Sequence, residues 1–337
     1  MRERRRGRWT AAILVALLTA LLPPRAAADG LAQWRSLPHA LAEQVLALSP
    51  SHISAADVRD ILAHVPAPRI IALDGSFAFV SMARFAEFLV AMGYPEERLR
   101  DSRKGDLSQG SFTDSARLAG ELAWHYEQDG AMPMLIGHSQ GGMLAIRTLH
   151  ELAGAFANDI AVWNPVLDVP LARTTITDPL TGATRSVVGL RVEYAAALAT
   201  GKLARVLLGQ WTMLPLLRRI PDTVEDFTGY TIPGDVIAGN LLGDEPYRAI
   251  GAAHVRTVTL PASYGHIALP DTRHLADQPP TRAWIDAYAP DAAMAPLPAD
   301  ANLDVSNLLH AADIWHDVKK HWCLAAQRAI RAARQSP

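Results

Sequence analysis

Residues Gly137-His138-Ser139-Gln140-Gly141 follow the pattern G-x-S-x-G. A serine hydroxyl is a weak nucleophile until a neighbouring base takes its proton, and this pattern meets the steric condition for presenting one. Flanking glycines let a strained strand-to-helix turn pass close to the backbone beside it. The context agrees with that use. The apolar run 132–136 directly ahead reads as a buried strand, and 143–152 directly behind reads as a helix. A serine at such a junction lies at a helix start, where the N–H of Gln140 and the helix dipole both favour a developing oxyanion.

The hexapeptide Gly-His-Ser-Gln-Gly-Gly at 137–142, with a strand before it and a helix after it, resembles the nucleophile elbow of α/β-hydrolase lipases and esterases. The resemblance covers about residues 69–290 and is strongest over 69–165. It implies a Ser–acid–His triad in that chain order, no cofactor and no metal. It also implies a second oxyanion donor in the loop after the family's third strand. That loop corresponds here to Leu73-Asp74-Gly75-Ser76-Phe77, and the backbone N–H of Ser76 is the expected donor beside that of Gln140. The family commonly has His-Gly where this chain has Asp74-Gly75. The competing reading of this loop is an ordinary turn with Asp74 capping the next helix.

The base should follow the last strand and return to Ser139. Residues 255–260 read as that strand, and His266 follows it after a short loop. His254 precedes the strand and falls at its wrong end, and His274 lies eight residues further on. The acid should come from the loop after the preceding strand. Gly234-Asp235 follows the strand-like 227–231 and resembles the Gly-Asp loops that carry the family's acid, so Asp235 is expected to orient His266. Asp222, Glu225, Asp226, Asp244 and Asp168 are its rivals. His310, His316 and His321 lack zinc-like spacing on one helix face. Cys323, the only cysteine, excludes an intrachain disulfide and cysteine-cluster chemistry.

These residues need a sheet to hold them. Strands alternating with helices of 10–15 residues predict an α/β fold, a mostly parallel sheet flanked by helices. The expected helices are 39–48, 55–65 (Ser54 as N-cap, Asp57 completing a capping box), 85–92, 113–128, 143–152, 245–253 and 281–288. The expected strands are 69–73, 132–136, 160–163, 227–231 and 255–260. Residues 166–225 break the rhythm and read as a helical cap insertion, with 193–219 helix-prone. The apolar segment 203–217, flanked by Arg205, Arg218 and Arg219, can roof an acyl pocket, touch a lipid surface, or simply bury against the core. After the Ala/Pro-rich stretch 289–300, a C-terminal helix or helix pair over 304–334 can pack on the main domain or mediate a dimer.

The chain has 337 residues, half of them hydrophobic, enough for one large core without division into two. Its first residues read differently from the rest. Arg2, Arg4, Arg5, Arg6 and Arg8 precede the apolar run 10–22, then Pro23-Pro24 and Ala26-Ala27-Ala28. This is the three-part pattern of a secretory signal with cleavage after Ala28, which predicts an exported, periplasmic or secreted protein. The run is short of the ~20 residues that span a bilayer, so an uncleaved membrane anchor is the less favoured alternative. Residues 1–28 hold six arginines and one glutamate, so 26 basic against 33 acidic residues remain beyond them, a net charge of −7. That sign excludes the electrostatic footprint of a nucleic-acid binder. The expected substrate is a small-molecule or lipid ester, hydrolysed through an acyl-enzyme. A peptidase, a thioesterase, a cofactor-free haloperoxidase-like enzyme, or a non-catalytic hydrolase-fold binding protein would use the same framework.

Overall fold

The computed structural model describes residues 29–76, 80–239, 245–290, 296 and 303–335. The expected signal segment and the rival acid Asp244 lie outside the described residues.

Five short runs form the central sheet: β1 (Ile70–Leu73), β2 (Met134–His138), β3 (Val192–Leu198), β4 (Val224–Thr231) and β5 (His254–Thr259). They lie side by side in chain order, and every neighbouring pair is parallel. Helices cover both faces: α1 (His39–Ala47), α2 (Ala83–Met92), α3 (Ser115–Asp129), α4 (Gln140–Leu152), α5 (Pro279–Ala287) and α6 (Leu308–Gln335). Because successive strand residues point to opposite faces, the sheet feeds two cores. Ile70, Ala72, Met134, Ile136, Tyr194 and Tyr230 pack with α1, α2, α5 and α6. Ile71, Leu73, Leu135, Ala195 and Phe227 pack with α3 and α4. The α/β class and the parallel sheet are therefore as expected.

The departures have physical causes. Residues 192–198 were expected within a helix-prone cap, yet they form the central strand. Their alanines favour helix locally, but α4 crosses this strand so closely that a Cβ on Gly142 would come within 3.1 Å of Ala197, and only small side chains fit there. The 166–225 insertion is thus split by a sheet strand. Outside the sheet it leaves a hairpin pairing Thr175–Thr177 with Thr184–Ser186, and a short helix, Lys202–Leu207. The strand expected at 160–163 shrinks to Trp163–Asn164, paired antiparallel with Val169–Pro170 outside the main sheet. The helix expected at 245–253 is absent. There the Tyr247 N–H donates to Thr257 Oγ1 at 2.9 Å and the Ala252 N–H goes to Asp222, so these donors are taken by side chains instead of a helical ladder. The Ser54–Asp57 capping box forms, although its helix is only Ala55–Asp60.

The C-terminal region is one 28-residue helix, α6, and it belongs to the core. Trp315, Val318 and Trp322 are buried in it. Lys319 Nζ donates to Ile53 O at 2.8 Å, and Gln327 Nε2 donates to Val45 O at 3.0 Å and Leu48 O at 2.9 Å. On the sheet side, Asp313 and Asp317 accept from Arg256 Nη2 at 3.0 and 2.8 Å.

Candidate active site

Ser139 joins β2 to α4 with φ 52° and ψ −106°, a region that costs an ordinary side chain about 1–3 kcal/mol. The surroundings hold it there. Its N–H donates to Leu198 O at 2.8 Å, and its carbonyl accepts from Thr200 Oγ1 at 3.0 Å. The two flanking glycines are sterically required. A Cβ on Gly137 would strike the backbone of Gly141, and one on Gly141 would strike the Leu73 carbonyl at the end of β1. The turn is therefore wedged against the loop that follows β1.

In that loop the Asp74 and Gly75 N–H groups are already engaged, with Gln109 O at 2.9 Å and Val80 O at 3.1 Å. Ser76 comes next and is half-buried. Asp74 turns away toward α2, accepting from the Met82 N–H at 2.7 Å. Asp74 thus ties the loop to the residue that precedes α2, leaving Ser76 as the expected donor. The Gln140 N–H opens α4 and, as in any first helical turn, has no acceptor within the helix.

The other two expected residues come together. Asp235 sits in the turn after β4 and His266 in the loop after β5, both at the C-terminal edge of the sheet with Ser139. His266 Nδ1 donates to Asp235 Oδ2 at 2.6 Å, with side chains only 7% and 2% exposed. Burial alone would raise the Asp235 pKa. The His266 hydrogen bond and the Ala238 and Ile237 N–H groups outweigh that, holding it below the ordinary value and anionic. With Nδ1 committed, Nε2 is the His266 nitrogen left for a substrate or a hydroxyl.

His138 joins these pieces, although the sequence reading gave it no role. Its Nε2 donates to the His266 carbonyl at 2.8 Å, and the two rings meet edge-on at 5.0 Å. Its Nδ1 is buried without a partner, and a Cβ on Gly75 would come within 3.0 Å of it. Burial, reinforced by the nearby His266, pulls the His138 pKa down to about 3, so the ring is neutral. The signal was available, since His138 lies inside the motif.

Compared with family models, curated proteins and solved structures, the chain matches none.

The alternative residues are engaged elsewhere. His254, 82% exposed at the start of β5, faces Asp226 at 3.2 Å. His274 lies 3.6 Å from Asp304. Asp226 also binds His321 at 2.9 Å, Glu225 binds Arg328 at 2.8 Å, and Asp168 binds Arg117 at 2.5 Å. Asp222 caps the Ala252 N–H. Among the described residues, no group of three His, Cys, Asp or Glu side chains is arranged to hold a metal.

Proposed function

We propose that the chain is a serine hydrolase of the α/β-hydrolase type, cleaving carboxylic esters with Ser139 as nucleophile, His266 as base and Asp235 as orienting acid. One observation carries this reading: the buried Asp235–His266 pair is clamped through His138 to the strained turn that presents Ser139. Backbone strain of this kind persists only where the surroundings impose it, and it gathers at functional sites.

The chemistry follows from which atoms are free. His266 Nε2 takes the Ser139 proton as Oγ attacks the ester carbonyl carbon. The resulting oxyanion is held by the N–H groups of Gln140 and Ser76. Collapse expels the alcohol, which takes the proton from His266 and leaves an acyl-enzyme. Water, deprotonated by His266, then releases the acid and restores Ser139. Asp235 stabilises the imidazolium formed in each half-reaction.

An apolar acyl or alkyl group suits the surroundings. Val236 and Ile237 follow Asp235, and Ile267 follows His266, all exposed. Leu207 and Trp211 of the former cap segment are 75% and 59% exposed, whereas Met213 and Leu217 are buried. The Leu203 N–H donates to Ala238 O at 3.3 Å, so the backbones of the two stretches are tied together. We assign these exposed apolar side chains to lipid-like esters and the protein to an exported location. Among the described residues, no helix is long and apolar enough to cross a membrane.

The test is labelling by a fluorophosphonate beside a Ser139→Ala variant whose folding is checked by circular dichroism. Labelling that vanishes in folded Ser139→Ala supports the assignment. A folded wild type that stays unlabelled, even with detergent present, refutes it.

A further inference from the structure

We propose that Arg205 and Arg218 form a subsite for an anionic group, a carboxylate or phosphate monoester carried by the substrate. This assignment rests on the serine-hydrolase reading above.

Other arginines that are mostly buried have acidic partners. Arg98 binds Asp129 at 3.0 Å, and Arg328 binds Glu193 at 3.1 Å and Glu225 at 2.8 Å. Arg205 is 0% exposed and has no carboxylate within ion-pair distance among the described residues. Its Nη1 contacts the side-chain oxygens of Gln140 and Gln210, and its Nε donates to Gly201 O at 3.3 Å. Nη2 has no partner at all. Arg218, 5% exposed, likewise leaves Nε and Nη1 without partners, its guanidinium stacked 4.2 Å from the Tyr247 ring. The nearby carboxylate of Glu245 is engaged by Lys202.

Each guanidinium reaches the surroundings of the nucleophile through intervening residues. Arg205 touches the side chain of Gln140, the residue after Ser139. The Tyr247 hydroxyl under Arg218 lies 3.5 Å from the carbonyl of Thr200, whose own hydroxyl holds the Ser139 carbonyl. Burial lowers the Arg205 pKa to about 10, which still leaves it charged at neutral pH. Guanidinium N–H groups left unpartnered in the interior, next to Gln140 and over Tyr247, offer donors that a substrate anion would engage. With the apolar side chains above, the ligand class is amphiphilic: an ester bearing a hydrocarbon chain and an oxyanion.

The experiment measures binding to folded Ser139→Ala protein by calorimetry, which needs no turnover. The probes are hexyl phosphate, monomethyl suberate and the neutral dimethyl suberate. At least one anion is expected to bind about tenfold tighter than the neutral diester, the worth of one charge-assisted hydrogen bond. The preference should disappear with Arg205→Gln or Arg218→Gln and persist in part with Arg205→Lys. Preference for hexyl phosphate alone identifies a phosphate source; preference for monomethyl suberate alone identifies a dicarboxylate half-ester. Equal binding of all three probes, binding of none, or a preference that survives both glutamine variants overturns the subsite. Any of these can occur while wild-type Ser139 still labels with fluorophosphonate, so failure of the subsite is distinguishable from failure of the hydrolase reading.

Discussion

His138 Nε2 donates to the main-chain oxygen of His266 at 2.8 Å, so the residue before the nucleophile fixes the backbone of the proposed base. Two loops that belong to different strands are thereby held in register. His138→Ala should lower kcat by about 100-fold with little change in KM, the cost of a misplaced catalytic group. His138→Gln can place an amide N–H in nearly the same position and should recover much of that loss. A kcat unchanged in folded His138→Ala would show that the contact is incidental.

Asp235 should matter through the tautomer it imposes. Asp235→Asn preserves shape but lets the His266 ring carry its proton on the wrong nitrogen, and ester turnover should fall by about 10⁴-fold. Steady-state kinetics on a short-chain nitrophenyl ester, with fluorophosphonate labelling rate as a second readout, checks this. A drop of only a few fold would move the acid elsewhere.

Acid should destabilise the fold through its buried neutral histidines. Burial first, and for His138 the nearby His266 next, lower the pKa of His138 to about 3, and burial lowers that of His310 to about 4. Below the ordinary histidine value of 6.5 the unfolded chain binds these protons and the folded chain does not. Stability therefore falls as pH drops from 6.5 toward 4, by up to ~1.4 kcal/mol per pH unit for each ring. Glu193 works in the opposite direction. Burial raises its pKa to about 7, so its contribution is greatest at low pH and fades as pH rises from 4.5 to 7. Urea titrations across this range should show a flatter slope for His310→Gln, which can still donate to Leu269 O as His310 does at 2.9 Å. An identical slope in that variant would contradict the argument.

Arg256 balances two carboxylates on α6. Asp313 is 0% exposed and also accepts from the hydroxyls of Tyr230 at 2.5 Å and Tyr288 at 3.0 Å. Arg256→Met would leave Asp313 and Asp317 facing each other uncompensated and should cost about 3 kcal/mol. This is the lower end for a broken buried pair, because Arg256 itself is 38% exposed. Adding Asp317→Asn should restore part of the loss in denaturant unfolding. A simple sum of the two single effects would mean the groups act independently.

If residues 1–28 are an export signal, the mature protein begins at Asp29. Sequencing the N-terminus of material recovered outside the cytoplasm checks this directly; an intact Met1 there would rule out cleavage.

The parts of the site that announced themselves in sequence were those whose chemistry demands a fixed local pattern. Ser139 was legible because its turn needs glycine at 137 and 141 and a strand and helix on either side. His266 and Asp235 were found by their place after two strands, and the structure joins them. His138 stands inside the motif, but its contact with His266, like that of Arg205 with Gln140, is tertiary, and no spacing encodes it. The misread segments failed for a related reason. The alanines of β3 carry helix propensity, and only the closeness of α4 makes small strand residues necessary there. Around Tyr247, distant side chains from Asp222 and Thr257 capture backbone donors that a local reading assigns to a helix.

The helix α6 comes after every other described element in the chain, yet it closes the face of the sheet that also holds the first helices. Its bonds to Ile53 and Val45 join residues 266 and 282 positions apart. Contacts of such separation are slow to form and cannot begin before synthesis reaches them. A nascent chain stalled near residue 300 would carry β1 to β5 with Tyr194 and Tyr230 uncovered. Folding here cannot be completed from the N-terminus onward during translation, so the growing polypeptide must be kept from aggregating until this late segment has been made.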